Sequence, residues 1–207
     1  MGTASRSRIK SGLWYLLCFL CTIIGLYPLI YLTQNANAGF LSSKPVDLLN
    51  ESLWQWAFYI HIALGGLALL IGWPQFIQKL RSKYLNWHRR VGRVYVLSVL
   101  LSGVSGIYIG LYANGGWVSS LGFMTLGFLW VYSTANAYFK VKLGSLEKHE
   151  EWMIYSYALT MAAVTLRIWL PILALSLDEF IVAYKIVAWL CWVPNLAVAI
   201  IINNRRS

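Results

Sequence analysis

Six apolar runs, each long enough to cross a bilayer and separated by short polar stretches, constrain this chain more than any other feature. A span needs roughly 20 mostly apolar residues to cross about 30 Å of hydrocarbon. The stretches Leu13–Leu32, Leu53–Ile77, Val91–Leu111, Trp117–Tyr138, Trp152–Leu175 and Phe180–Ile202 meet that requirement. Inside hydrocarbon a backbone must satisfy its own hydrogen bonds, so runs of this length and composition are read as helices. The fold class is therefore all-α: a polytopic, six-transmembrane-helix bundle. The segments between the runs leave no room for a second domain, and no internal repeat is visible. Residues 1–12 read as a basic tail, 13–202 as one transmembrane domain and 203–207 as a second short tail.

Composition agrees. Of 207 residues 59% are hydrophobic and only 12% charged, against about a quarter charged in a soluble domain. That deficit excludes an ordinary soluble enzyme and a disordered chain. The net charge of +10 is not read as a nucleic-acid surface, because its distribution follows the membrane. Arg6, Arg8 and Lys10 precede the first run. Lys79, Arg81, Lys83, Arg89, Arg90 and Arg93 cluster between the second and third, Lys140, Lys142 and Lys148 between the fourth and fifth, and Arg205 with Arg206 close the chain. The positive-inside bias places all of these, and both termini, in the cytoplasm. A bacterial inner (cytoplasmic) membrane is the expected location. Arg6–Lys10, an apolar stretch and Ala36-Asn37-Ala38 also resemble a cleavable signal peptide, but the run from Gly12 to Leu32 exceeds an h-region of about 7–15 residues. A retained first span is the expectation. Cys18, Cys21 and Cys191 all lie inside apolar runs and read as packing residues.

Function is sought in ionisable residues placed where hydrocarbon makes them costly. His61 lies eight residues into the second run, and Arg167 about eight residues before the fifth run ends. At 1.5 Å per residue both sit roughly 12 Å below the outer surface. His88 and His149 share the opposite depth, at the cytoplasmic starts of spans three and five. Helical phase adds that His88, Tyr95, Ser102 and Gly106 fall on one face, as do His149, Ser156, Ala163 and Arg167, and His61, Gly65 and Gly72. These small or polar faces should point into the bundle.

Two imidazoles at one depth on facing helices suit the axial positions of haem iron. The leading expectation is haem b between His88 and His149. Arg89, Arg90 and Arg93 would neutralise its propionates, and Trp87 and Trp152 would cover its edge. Interfacial histidines with no ligand, or a metal site of His88 and His149 with Glu150 or Glu151, are the alternatives. His61 is a further candidate metal or haem ligand, with only Met124 at its level in span four. Another use of His61 and Arg167 is a polar cluster with Tyr59 or Tyr157 that binds a quinone-like or anionic head group, or else a structural pair.

The runs HIALGGLALLIGWPQF (61–76) and HRRVGRVY (88–95), with LGFMTLGFLWVYSTANAY, HEEWMIYSYALTMAAVTLR and AWLCWVPNL, resemble a bacterial family of predicted membrane proteins, a domain of unknown function. His61, His88, His149 and Arg167 all occupy motif positions in that resemblance. Glu150 and Glu151 stand where basic residues are expected, and Tyr155 where arginine is usual. A weaker analogy is to transmembrane cytochromes of the b-five-six-one type, six-helix proteins whose haem ligands pair spans two with four and three with five. His88 and His149 match the second pair, while span four lacks its histidine. The expected function is thus a haem-b electron-transfer or reductase protein, with quinol at His61 and Arg167 as donor. The alternatives are a transporter of a small anionic substrate and an assembly or scaffold protein. Pro28, Pro74, Pro171 and Pro194 are read as lying near span ends, which with the missing repeat counts against a broken-helix transporter.

Overall fold

The computed structural model describes residues 2–32 and 39–206, with side chains from Gly12 to Tyr31 and from Leu41 to Arg206. The Ala36-Asn37-Ala38 motif of the signal-peptide alternative lies outside the described residues. Six helical stretches are long and apolar enough to cross a membrane: Gly12–Tyr31, Ser52–Phe76, Leu85–Gly110, Trp117–Lys142, Leu146–Leu177 and Phe180–Asn204.

The chain runs α1 (Gly2–Leu26), α2 (Val46–Leu49), α3 (Ser52–Gly72), α4 (Gln78–Lys83), α5 (Leu85–Gly110), α6 (Trp117–Lys142), α7 (Leu146–Thr160), α8 (Ala162–Leu177), α9 (Phe180–Leu190) and α10 (Val193–Asn204). Span three starts six residues before the apolar run that announces it, because Leu85 to Arg90 continue the helix into the interface where their charged heads reach water. Span five likewise starts at Leu146 rather than Trp152.

Spans end where the backbone loses its donors or needs a turn. Span one tightens into a 3-10 turn, Tyr27–Leu32, at Pro28. Span two ends in a similar turn, Trp73–Phe76, that contains Pro74. Gly115 and Gly116 both adopt positive φ (83° and 74°) in the turn between α5 and α6, a conformation that side chains disfavour.

Two spans are interrupted mid-membrane, contrary to the reading of the prolines as span-end residues. Span five breaks at Met161 between α7 and α8. Span six breaks at Cys191–Trp192, with Pro194 in the first turn of α10. Pro171 lies inside α8 without ending it. The two breaks are tied together: Thr165 Oγ1 donates to the Cys191 carbonyl, and Asn195 Nδ2 donates to that carbonyl (3.0 Å) and to Thr165 Oγ1 (3.2 Å). Side chains thus satisfy a carbonyl that the break exposes, as hydrocarbon requires.

Spans two to five form the central bundle, with α1 packed on α3, α9 on α8 and α6, and α10 on α7. Close approach is set by small residues. A Cβ on Gly66 would lie 2.6 Å from the Gly25 carbonyl oxygen, so α1 and α3 meet backbone to backbone there. Large apolar side chains such as Leu97, Val104 and Phe128 point outward, 59%, 61% and 63% exposed, as a lipid-facing surface demands.

The faces read from helical phase do turn inward, since Tyr95, Ser102, Gly106 and Ser156 are buried. At mid-depth they build a closed hydroxyl network. Tyr95 Oη lies 2.8 Å from Ser156 Oγ and 2.9 Å from Thr160 Oγ1. Trp130 Nε1 donates to Thr160 Oγ1 at 2.8 Å, and Thr134 Oγ1 is 2.6 Å from Ser156 Oγ. Thr160 and Thr134 donate their own protons to the carbonyls of Ser156 and Trp130. Each hydroxyl therefore has a partner on a neighbouring helix or on its own backbone, and spans three, four and five are locked in register.

Candidate functional site

The end of the bundle remote from both termini, here the distal end, encloses a cavity of about 360 Å³, a size within the usual range for small-molecule sites. The Trp130–Thr160 pair of the hydroxyl network lies at its floor. Its walls come from the end of span one (Tyr27, Tyr31), α3 (Trp54, Phe58, His61, Gly65), α5 (Gly103, Gly106, Gly110), α6 (Phe123, Gly127, Trp130), α8 (Ala163, Leu166, Arg167, Leu170) and Tyr184 of α9. His61 and Arg167, placed at one depth by counting residues, share this cavity.

His61 is fixed by α5. Its Nδ1 lies 2.9 Å from the Ser102 carbonyl oxygen, while Ser102 Oγ donates to the His61 carbonyl at 2.8 Å. A carbonyl only accepts, so Nδ1 carries the proton and Nε2 is left as an acceptor. Gly106 makes room for the ring: a Cβ there would lie 2.7 Å from His61 Nδ1. The small-residue ladder Ser102, Gly106, Gly110 is thus the surface on which the histidine is seated. Met124, the only span-four ligand candidate at this level, packs on Gly110 instead.

Arg167 donates from Nη1 to the Ala163 carbonyl at 2.9 Å, and its guanidinium lies over the Tyr27 ring, 4.7 Å from the centroid. Pro171 cannot supply the amide that would bond the Arg167 carbonyl. Among the described residues no carboxylate lies within ion-pair distance of Arg167. The expected tyrosine partners are corrected. Tyr59 is 41% exposed, and Tyr157 turns away to bond the Leu69 carbonyl (3.1 Å) and Cys21 Sγ (3.3 Å). Tyr27 and Tyr31 stand in their place. They are spaced i and i+4, so a helical end would present both on one face, the signal that could have found them.

Two further donors reach the cavity. Lys44, from the segment between spans one and two, folds inward until only 8% is exposed. Its Nζ donates to the Tyr112 carbonyl and to Asn114 Oδ1 (3.0 Å), tying this segment to the α5–α6 turn. Burial lowers its pKa to about 8. Trp54 is buried, and its Nε1 has no hydrogen-bond partner among the described residues. Among the described residues the lining contains no Asp or Glu.

At the proximal end, His149 Nδ1 lies 2.8 Å from the Ala137 carbonyl oxygen. His88 is within electrostatic range of His149, Arg81 and Glu150, and its Nδ1 is buried without a partner among the described residues. Arg89, Arg90 and Arg93 are exposed on the first turns of α5. The metal set that adds a glutamate is not assembled. Glu150 is paired with Arg81 (2.6 Å) and Arg206, and Glu151 with Lys148 (2.7 Å). No group of three or more His, Cys, Asp or Glu side chains among the described residues could hold a metal ion. His61 does not join this pair, since its partner Ser102 is fourteen residues along α5 from His88, roughly 21 Å. Trp152 packs edge-on against Tyr132 and Tyr155, centroids 5.6 Å away in each case, rather than standing free to cover a porphyrin.

Six apolar helices around a largely apolar cavity define a multi-pass membrane protein. The chain belongs to the family described as Predicted membrane protein (DUF2306), whose profile matches residues 58–203. No curated protein and no solved structure matches it.

Proposed function

We propose that this protein binds, and carries within the bacterial cytoplasmic membrane, a small amphipathic ligand with an acidic or quinone-type head group, seated in the distal cavity. One observation supports this reading above the others: the charged groups of the lining, Arg167 and Lys44, are cations, and among the described residues no carboxylate accompanies them. A guanidinium removed from water is costly unless it is compensated. An anion or a pair of carbonyl oxygens between Arg167, Lys44 and Trp54 Nε1 provides that compensation, and the aromatic and aliphatic walls take the apolar body. The interrupted helices of spans five and six, a feature shared with transporters, favour carriage over static binding. The test is solvent extraction of protein purified in mild detergent, followed by mass spectrometry of what is released. An acidic or quinone-type amphiphile should come from wild type and be depleted in Arg167→Leu; identical extracts would end this reading.

A second reading is electron transfer through haem b between α5 and α7, favoured by the state of the two histidines. The bond from His149 Nδ1 to the Ala137 carbonyl orients the ring and leaves Nε2 as the ligating atom, the usual second-sphere arrangement. The buried, unpartnered nitrogen of His88 and the exposed Arg89, Arg90 and Arg93 fit the other ligand and the propionates. Haem would supply one-electron chemistry there. Dithionite-reduced protein should then show sharp low-spin bands that His88→Ala or His149→Ala removes and His61→Ala leaves. Colourless protein from haem-supplied cells would exclude it.

A further inference from the structure

The wall between span one and α8 is thin. These elements touch at few positions, and one side-chain contact between them at the cavity is the Arg167 guanidinium resting on Tyr27. Both residues line the cavity. Just beyond them Ile30, Ile168, Trp169 and Ile172 are exposed to the lipid side. A wall of packed helix backbones opens only when whole helices move apart. A side-chain contact such as Arg167 on Tyr27 opens by rotation of two side chains. A cation–π contact of this kind is weak enough to be exchanged for a charge-assisted hydrogen bond to an anion. Span one has already left the α-helix at this level, in the turn Tyr27–Leu32, and α8 joins α7 through the break at Met161.

Resting on the reading of the cavity as an anion site, we propose that its ligand is a lipid-borne anionic amphiphile: a carboxylate or phosphate on a long apolar chain. It enters sideways from the outer leaflet through a portal between span one and α8. Arg167 is both gate and head-group receptor. It leaves Tyr27 for the incoming anion, and the chain follows through the gap into the apolar cavity or remains in the lipid. The same anionic chemistry could arrive in a water-soluble molecule through the mouth that Lys44 covers, and the two routes are separable.

The full chain is reconstituted in phosphatidylcholine nanodiscs with a long-chain fatty acid that carries a diazirine close to its carboxylate, and the products of illumination are mapped by peptide mass spectrometry. The matching fatty alcohol is the neutral control, and inorganic phosphate and benzoate are soluble competitors. The expected result is labelling of peptides that contain Tyr27, Leu166 or Leu170, reduced about tenfold or more in Arg167→Leu, as loss of a charge-assisted bond implies. Arg167→Lys should retain most of it, which separates charge from folding. The alcohol should label weakly and the soluble anions should not compete. If inorganic phosphate and benzoate abolish the labelling, entry is from water. The portal is then wrong while the anion site stands. Absence of cavity labelling by the fatty acid, with Arg167→Leu indistinguishable from wild type, overturns the portal and the anion site together.

Discussion

Arg167 shows how far single residues were legible. Its depth and that of His61 follow from counting 1.5 Å per residue, and both do face one cavity. Their neighbours were not legible, because the choice among Tyr27, Tyr31, Tyr59 and Tyr157 depends on which helix packs where. Lys44 was unreadable for a different reason: a lysine between spans has water on every side until the segment folds back over the bundle. Two expectations belong at this scale. Arg167→Leu should stabilise the empty protein by about 1–3 kcal/mol in denaturant unfolding, since leucine is favourable in lipid and arginine costly, while ligand binding is lost. Destabilisation would mean that the arginine is structural. Lys44 carries its charge below its pKa of about 8 and loses it above. Anion affinity should therefore be highest below that value and fall as pH rises through it. In a binding titration Lys44→Met should be weaker and flat across this range, and Lys44→Arg should extend the high-affinity plateau upward. A wild-type profile that is flat from neutral to alkaline pH would remove Lys44 from the site.

Helices were the most legible level, because uninterrupted apolar runs of this length admit one backbone solution in lipid. Their ends were read too short wherever a charged interfacial turn continues the helix, as at Leu85. The break at Met161 had no signal, since neither proline nor glycine marks it. Pro194, which apolarity alone places near a span end, lies at the midspan break instead. Packing between elements rests on positions where a methyl group does not fit. Gly66→Ala would press a carbon against the Gly25 carbonyl oxygen, so it should force α1 from α3 and destabilise the protein by about 1–3 kcal/mol. Thermal unfolding in detergent checks this, and an unchanged midpoint would show that span one is loosely held. Tyr95→Phe should also cost about 1–2 kcal/mol, because it removes the hydroxyl that joins Ser156 and Thr160.

For the whole molecule, charge bias assigns an orientation that helix packing leaves open. Reporter fusions after Lys83 and Lys142 should report cytoplasm, and those after Ser43 and Asn114 the outer side. A fusion at the carboxyl end on the outer side would contradict it and turn the distal cavity toward the cytoplasm. The bundle then has two unlike ends: a basic face with a histidine pair, and a distal half with a cavity lined by Arg167 and Lys44 above a hydroxyl network. The central claim is that the cavity holds an anionic head against Arg167. Its most direct test is a high-resolution electron cryo-microscopy map of the wild-type chain in native lipid. Elongated density should fill the cavity, with its polar end within hydrogen-bond distance of the guanidinium. A dry, empty cavity with Arg167 still stacked on Tyr27, or Arg167 turned onto a protein carboxylate, would contradict it.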